Sequence, residues 1–209
     1  MNRLPLSRRS ALAAATALAI LAATPALADD RRNFLIVPGT SFGPIGKNTG
    51  LGDLERIYGK EGVRVRMEQP PHGDFPRQRA AVIFSGTADE AVAYLADDGR
   101  TVERVVIQNP GGRWQTQDGL RIGTDLRALD RMLGGPFPIS AYGQDGGGAV
   151  RETRKTRVAR HLFIRLAPDR RRRISAADEA AMNRDFRSSH PAARRARLAV
   201  SAIWWDIAR

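Results

Sequence analysis

The chain has 209 residues, 34 lysines and arginines against 22 aspartates and glutamates, a net charge of +12, and no cysteine. That composition excludes thiol catalysis, disulfide scaffolding and cysteine-bound metal, and the length suffices for one sizeable hydrophobic core or two small ones. The excess charge is uneven. Residues 29–150 hold 15 basic against 16 acidic side chains and residues 151–209 hold 16 against 6, so the basic character belongs to the last third. Only Lys47, Lys60 and Lys155 are lysines; GC-rich coding and selection for bidentate anion contacts each account for that preference.

Residues 1–28 read as a secretory signal peptide: Arg3, Arg8 and Arg9 give a basic start, Ala11 to Leu21 an apolar core, and Ala26-Leu27-Ala28 a small-residue cleavage site. The core is shorter than the roughly 20 apolar residues that span a bilayer, so no transmembrane anchor is expected after cleavage. Ser7-Arg8-Arg9 resembles a twin-arginine export signal, which leaves two export routes open. The expectation is a periplasmic or secreted protein, with 29–113 as a first α+β unit and 114–209 as a second that ends in the basic segment.

Leu54, Ile57 and Tyr58 share one helical face, which Gly59 stops. The strand Val63 to Met67 follows, with Val63, Val65 and Met67 on one side and Arg64, Arg66 and Glu68 on the other, the pattern of a sheet with one covered and one wet face. Pro70, Pro71, Gly73 and Pro76 make Gln69 to Gln78 irregular. Further strands are expected over Arg79 to Phe84, Ala91 to Leu95 and Val102 to Gln108, with a hairpin turn at Asp97-Asp98-Gly99-Arg100.

The stretch from Trp114 to Gly148 then repeats the earlier pattern. Ile122-Gly123 matches Ile45-Gly46, and Leu126, Leu129, Met132 and Leu133 form a helical face stopped by Gly134-Gly135-Pro136. A strand from Phe137 to Tyr142 and a turn at Asp145 with three glycines follow. Two copies of one unit imply an α+β fold: two pseudo-repeated helix-plus-antiparallel-sheet units in one two-layer domain. Beyond them, Arg160 to Leu166 alternates, with Leu162, Ile164 and Leu166 on one face and His161, Phe163 and Arg165 on the other. Arg170, Arg171, Arg172 and Arg173 make a basic turn, Ser175 caps a helix reaching Phe186, and Leu198 to Ile207 forms the last strand. Trp204 and Trp205 in that strand must point to opposite faces.

Most catalytic patterns fail. His72, His161 and His190 are isolated, so no metal is expected, and no other cofactor is implied. No serine sits in a G-x-S-x-G elbow. Helix dipole and solvation account for Asp125 and Asp130, and Asp145 with its glycines lacks the Lys-Ser/Thr of a phosphate loop, so it reads as a strand turn. What remains is a surface. Arg64, Arg66, His161, Phe163, Arg165 and one of Trp204 and Trp205 fall on the non-core side of their strands; on a shared sheet they make a basic, aromatic open face suited to an anionic partner. A merely solvated face accounts for the same arginines. Arg170 to Arg173 read as a solvated turn, or as a weaker anion contact.

The order Phe42-Gly43-Pro44-Ile45, Ile57-Tyr58-Gly59-Lys60, Val82-Ile83-Phe84, Trp114 to Gly148, and Ser188-Ser189 with Pro191-Ala192, Val200, Ile203 and Trp205 resembles a family of uncharacterised bacterial exported proteins and lipoproteins. The family's aromatics flanking the late aspartate are replaced here by Gln144 and Gly146. The resemblance carries no activity with it. A looser likeness is to β-lactamase inhibitor proteins and small outer-membrane assembly lipoproteins, which implies a two-layer domain gripping another protein with its open sheet face. The resulting expectation is a periplasmic binding or interaction module, with no reaction implied, that recognises an envelope protein or an anionic glycolipid or glycan. Nucleic acid is not expected as a partner of an exported protein. The alternatives are a hydrolase with an unidentified carboxylate site and a purely structural envelope protein.

Overall fold

The computed structural model describes residues 31–71, 75–144, 146–151, 159, 161–169 and 171–207. Residues 1–30, with the expected signal peptide, and His72, Asp145, Arg170 and most of 152–160 lie outside them. The described chain opens with three short strands, β1 (Leu35–Val37), β2 (Ser41–Phe42) and β3 (Ile45–Gly46). Helix α1 (Leu51–Tyr58) follows, its first turn held by Asp53, whose carboxylate accepts the Gly50 N–H at 2.9 Å. A 3-10 turn, Lys60–Gly62, leads into β4 (Val63–Glu68), β5 (Gln78–Ile83), β6 (Ala91–Leu95) and β7 (Val102–Ile107), an antiparallel meander. Asp98 shapes the turn between β6 and β7. It accepts from the Thr101 hydroxyl and from the Arg100 and Thr101 N–H groups, which hold its carboxyl down at about 2.

Strand β8 (Gln115–Thr116) returns to lie parallel to β1, closing the small sheet β3-β2-β1-β8. Helix α2 (Leu126–Met132) is capped by Asp125, which accepts the Ala128 N–H at 2.8 Å. Then come β9 (Pro138–Ile139), β10 (Phe163–Ala167), α3 (Ala176–Met182), β11 (Phe186–Arg187), α4 (Pro191–Arg195) and β12 (Ala199–Asp206). Ser175 caps α3 as its sequence requires, accepting the Asp178 N–H. Helix α4 was not expected from the sequence; Pro191 at its first turn and His190 Nδ1, which accepts the Ala192 N–H, start it.

The main sheet is antiparallel, in the order β10-β12-β7-β6-β5-β4. Its first face packs on α1 and α2: Leu54 and Ile57 of α1 and Leu126 and Leu129 of α2 share one buried cluster with Ile83, Ala93, Val105, Ile107, Ile203 and Trp205. The fold is α+β. Four strands of the main sheet come from the first half of the chain and two from the second.

The expected repeat is matched by a short helix followed by glycine in each copy, but Ile45-Gly46 is a strand and Ile122-Gly123 a turn, and the segments after the two helices differ. After α1 the chain enters the main sheet as its outermost strand. After α2 it forms only Pro138–Ile139, which pairs with β11 in a separate two-stranded sheet. The Phe137 N–H donates to Ser188 Oγ (3.1 Å) and the Ser188 N–H to Phe137 O (2.9 Å), while on its other side Ile139 bridges Val150, whose N–H donates to Ile164 O of β10 (2.9 Å), so the segment meets the main sheet through residues 149–151.

Candidate functional site

The side chains singled out from the sequence lie on the second face of the main sheet, the one away from α1 and α2. The register sets them in rows. One row reads Arg64, Val82, Val92, Val106, Trp204, Phe163, and the next reads Arg66, Ala80, Tyr94, Arg104, Asp206. Arg165 stands opposite Ala202. The expected faces of Arg64, Arg66, Phe163 and Arg165 are therefore shared. They do not form one cluster: Arg64 and Phe163 are at opposite edges, separated by five strand spacings, roughly 24 Å.

The centre of this face is not open. Ala80, Val82, Val106 and Ala202 are buried, and Tyr94 and Trp204 are each only 3% exposed. The segment Gln69 to Pro71 crosses it as a strap. Tyr94 on β6 donates its hydroxyl to Gln69 O (2.7 Å), and Arg165 on β10 donates from Nη1 to Pro71 O (3.2 Å) and from Nε to Gly147 O (2.9 Å). Phe163 lies flat on Trp204, with ring centroids 5.3 Å apart and planes 4° from parallel. The expectation of a wet, gripping face is corrected by these contacts. Arg165 holds loops in place, and neither tryptophan presents a surface, since Trp205 lies in the main core at 2% exposure.

The remaining sites divide by role. His161 is exposed, as is Phe163 with buried Leu162 between them, but it precedes β10 in a left-handed conformation (φ 68°), outside the strand. Its ring fills the space beside Gly39, where a Cβ would come within 2.6 Å of Cδ2. Arg171, Arg172 and Arg173 are exposed, in a turn built on Asp169, which accepts the Arg171 N–H. Asp130 accepts the hydroxyl of buried Ser188. Asp178 is held below the usual carboxylate range by hydrogen bonds from Arg195. Among the described residues no three His, Asp or Glu side chains gather as a metal site.

Beside the strap is a cleft of about 110 Å³ lined by Glu68, Gln69, Glu90, Val92, Tyr94, Val106, Gln108 and Asn109. Its size falls below the roughly 300 Å³ at which small-molecule pockets begin. The chain matches no protein-family model, no curated protein and no solved structure.

What is exposed and charged is the outer edge at β4. Arg64 and Arg66 point into solvent on the second face; Arg66 pairs with Glu68, and Arg64 has no ion pair among the described residues. Val65 and Met67, on the opposite face of the same strand, are 38% and 49% exposed because α1 covers only the Val63 end. The sequence had placed them in the core. Its alternation gave their side correctly, but how far a helix reaches over a sheet is not written in the strand.

Tyr94 reports on the strap. Burial pushes its phenol up to about 12, with Glu68 adding to the rise. The folded chain thus keeps a proton that the unfolded chain sheds near 10, so this stabilisation is complete below pH 10 and is lost as pH rises through 12. Tyr142, whose phenol is also raised by burial, adds a loss of the same sign. Tyr94→Phe is expected to lower stability by about 1 kcal/mol at pH 7 and to flatten part of the alkaline loss. Denaturant midpoints for both proteins at pH 7 and above pH 10 check this. Equal midpoints for the two proteins at every pH would remove the strap hydrogen bond from consideration.

Proposed function

We propose that the protein is an exported interaction module of the bacterial cell envelope, recognising a protein or an anionic component through the arginine-bearing β4 edge of its main sheet. The observation that carries this reading is that edge: Arg64 and Arg66 in solvent on one side of an outermost strand, Val65 and Met67 half-exposed on the other. Arginine supplies bidentate contacts to carboxylate or phosphate, and the adjacent apolar side chains supply area. Export is supported by the leader-like pattern of residues 1–28 and by the resemblance to exported proteins.

The test is capture of fractionated envelope material, protein and glycolipid separately, on the immobilised protein and on an Arg64→Glu, Arg66→Glu variant. Expected is capture by the native protein that weakens with salt and falls by about tenfold or more in the variant, at unchanged thermal stability. Capture that ignores both substitutions would remove the β4 edge from the function. Absence of capture in every fraction would overturn the binding reading itself.

A further inference from the structure

The backbone of β4 deepens that reading. In an antiparallel sheet the hydrogen bonds of successive residues point alternately to one neighbour and the other. The Ile207 N–H donates to Glu103 O (2.7 Å), so the odd residues that follow in β7 face β12; the Ala96 N–H donates to Thr101 O (2.9 Å), which turns Val92 and Tyr94 of β6 toward β7. Carried through the register, Ala80 and Val82 of β5 face β4, and Arg64 and Arg66 answer them. The N–H and C=O groups of Val63, Val65 and Met67 therefore point away from the sheet. Two of these six groups are already satisfied: the Val63 N–H donates to Lys60 O, and Met67 O accepts from Arg77 Nη2 at 2.7 Å. No strand lies beyond β4 among the described residues. Both Val65 groups, the Val63 C=O and the Met67 N–H are left facing outward.

The opposite edge of the sheet shows what a covered edge looks like. There the Val150 N–H donates to Ile164 O (2.9 Å) and the Leu166 N–H to Gly148 O (2.8 Å), so the chain itself runs alongside β10. Edge strands are generally shielded in some such way.

We propose that the outer edge of β4 takes an extended acidic segment of a partner protein as a seventh, antiparallel strand, paired through Val65. This rests on the reading of the protein as an interaction module. Strand pairing sets directly opposed residues on the same face. The partner residue opposite Val65 is thus apolar, as is the one opposite Met67, and the residues opposite Arg64 and Arg66 are acidic. The recognised chemistry is an alternation of carboxylate and aliphatic side chains, with main-chain bonds giving affinity and the alternate side chains specificity. A second copy of the same edge would bring the arginines of two β4 strands together, which like-charge repulsion opposes.

The probe is a fluorescently labelled, end-blocked peptide of alternating Glu and Val, with binding read by anisotropy against the purified protein. In the antiparallel pairing the valine N–H groups face β4 and the glutamate N–H groups face solvent. N-methylation of the valines is expected to weaken binding by at least about tenfold, and N-methylation of the glutamates to leave it within about twofold. The Arg64→Glu, Arg66→Glu variant is expected to lose the Glu-Val peptide and to bind its Lys-Val counterpart. Because the N-methyl comparison uses the native protein, a variant that fails to fold does not affect it. Equal binding of both N-methylated peptides would overturn strand addition and leave contact through side-chain charge alone. No peptide binding beside successful envelope capture would overturn strand addition only. Loss of both peptide binding and envelope capture would overturn the interaction module with it.

Discussion

Trp205→Ala is expected to destabilise the protein by about 3–5 kcal/mol, enough to remove most of the roughly 5–15 kcal/mol that a domain of ordinary stability holds. Trp205 is among the largest fully buried side chains, and it sits on the helix-covered face with Ala93 and Val105 in its register row. Alanine and valine are small, so neither row neighbour is large enough to close the gap that removal of the indole leaves. Trp205→Phe should recover about half of the loss. Equilibrium denaturation of the three proteins measures this. A Trp205→Ala midpoint close to that of the native protein would mean that the two tryptophans have been assigned to the wrong faces.

Gly148→Ala should carry the second large effect, about 2–4 kcal/mol of destabilisation. Gly148 has φ +80°, a conformation that side-chain-bearing residues avoid, and an added Cβ would run into the Leu166 carbonyl and lie 2.8 Å from Tyr142 Cε1. The same carbonyl accepts the Tyr142 hydroxyl at 2.9 Å, and Gly148 O in turn accepts the Leu166 N–H at 2.8 Å. This explains the glycine at position 148, which packs against β10 with no room for a side chain. Gly146→Ala is the control. Its φ is +71° but nothing lies within 4 Å of the added atom, so only the backbone strain of about 1–2 kcal/mol applies. Thermal unfolding of both variants decides between a structural turn and a ligand loop, because a ligand loop has no reason to rank them in this order.

Much of the local structure was legible. The strands from Val63 to Gln108 were located to within a residue or two because each is bounded by glycine, proline or aspartate turns and carries a β-branched or alternating run. Ser175, Gly59 and the buried faces of α1 and α2 followed from capping chemistry and helical spacing. The repeat misled beyond its helices. A helix followed by a glycine stop specifies where a helix ends, and the partner of the next strand depends on distant contacts such as that between Phe137 and Ser188.

The candidate site shows the same division. Alternation identified the two faces of each strand, and Trp204 and Trp205 do lie on opposite ones. Yet Ala80-Ala81-Val82-Ile83 and Ala91-Val92-Ala93-Tyr94 are nearly continuous apolar runs, the pattern of strands covered on both sides. That signal was available and argued against an open face; only the outermost strand, with its arginines, kept the alternation of a half-exposed one.

The sequence by itself determined where three of the four described helices and most strands lie, which residues share a strand face, and the concentration of arginine, because these depend on spacing and composition over a few residues. The tertiary structure decided the strand order, the strap of Gln69 to Pro71 over the second face, and the separation of Arg64 and Arg66 from Phe163 by four intervening strands. It also left β4 as the uncovered edge. These depend on hydrogen bonds and packing between residues far apart in the chain, and no local pattern encodes which of several compatible strands will become neighbours.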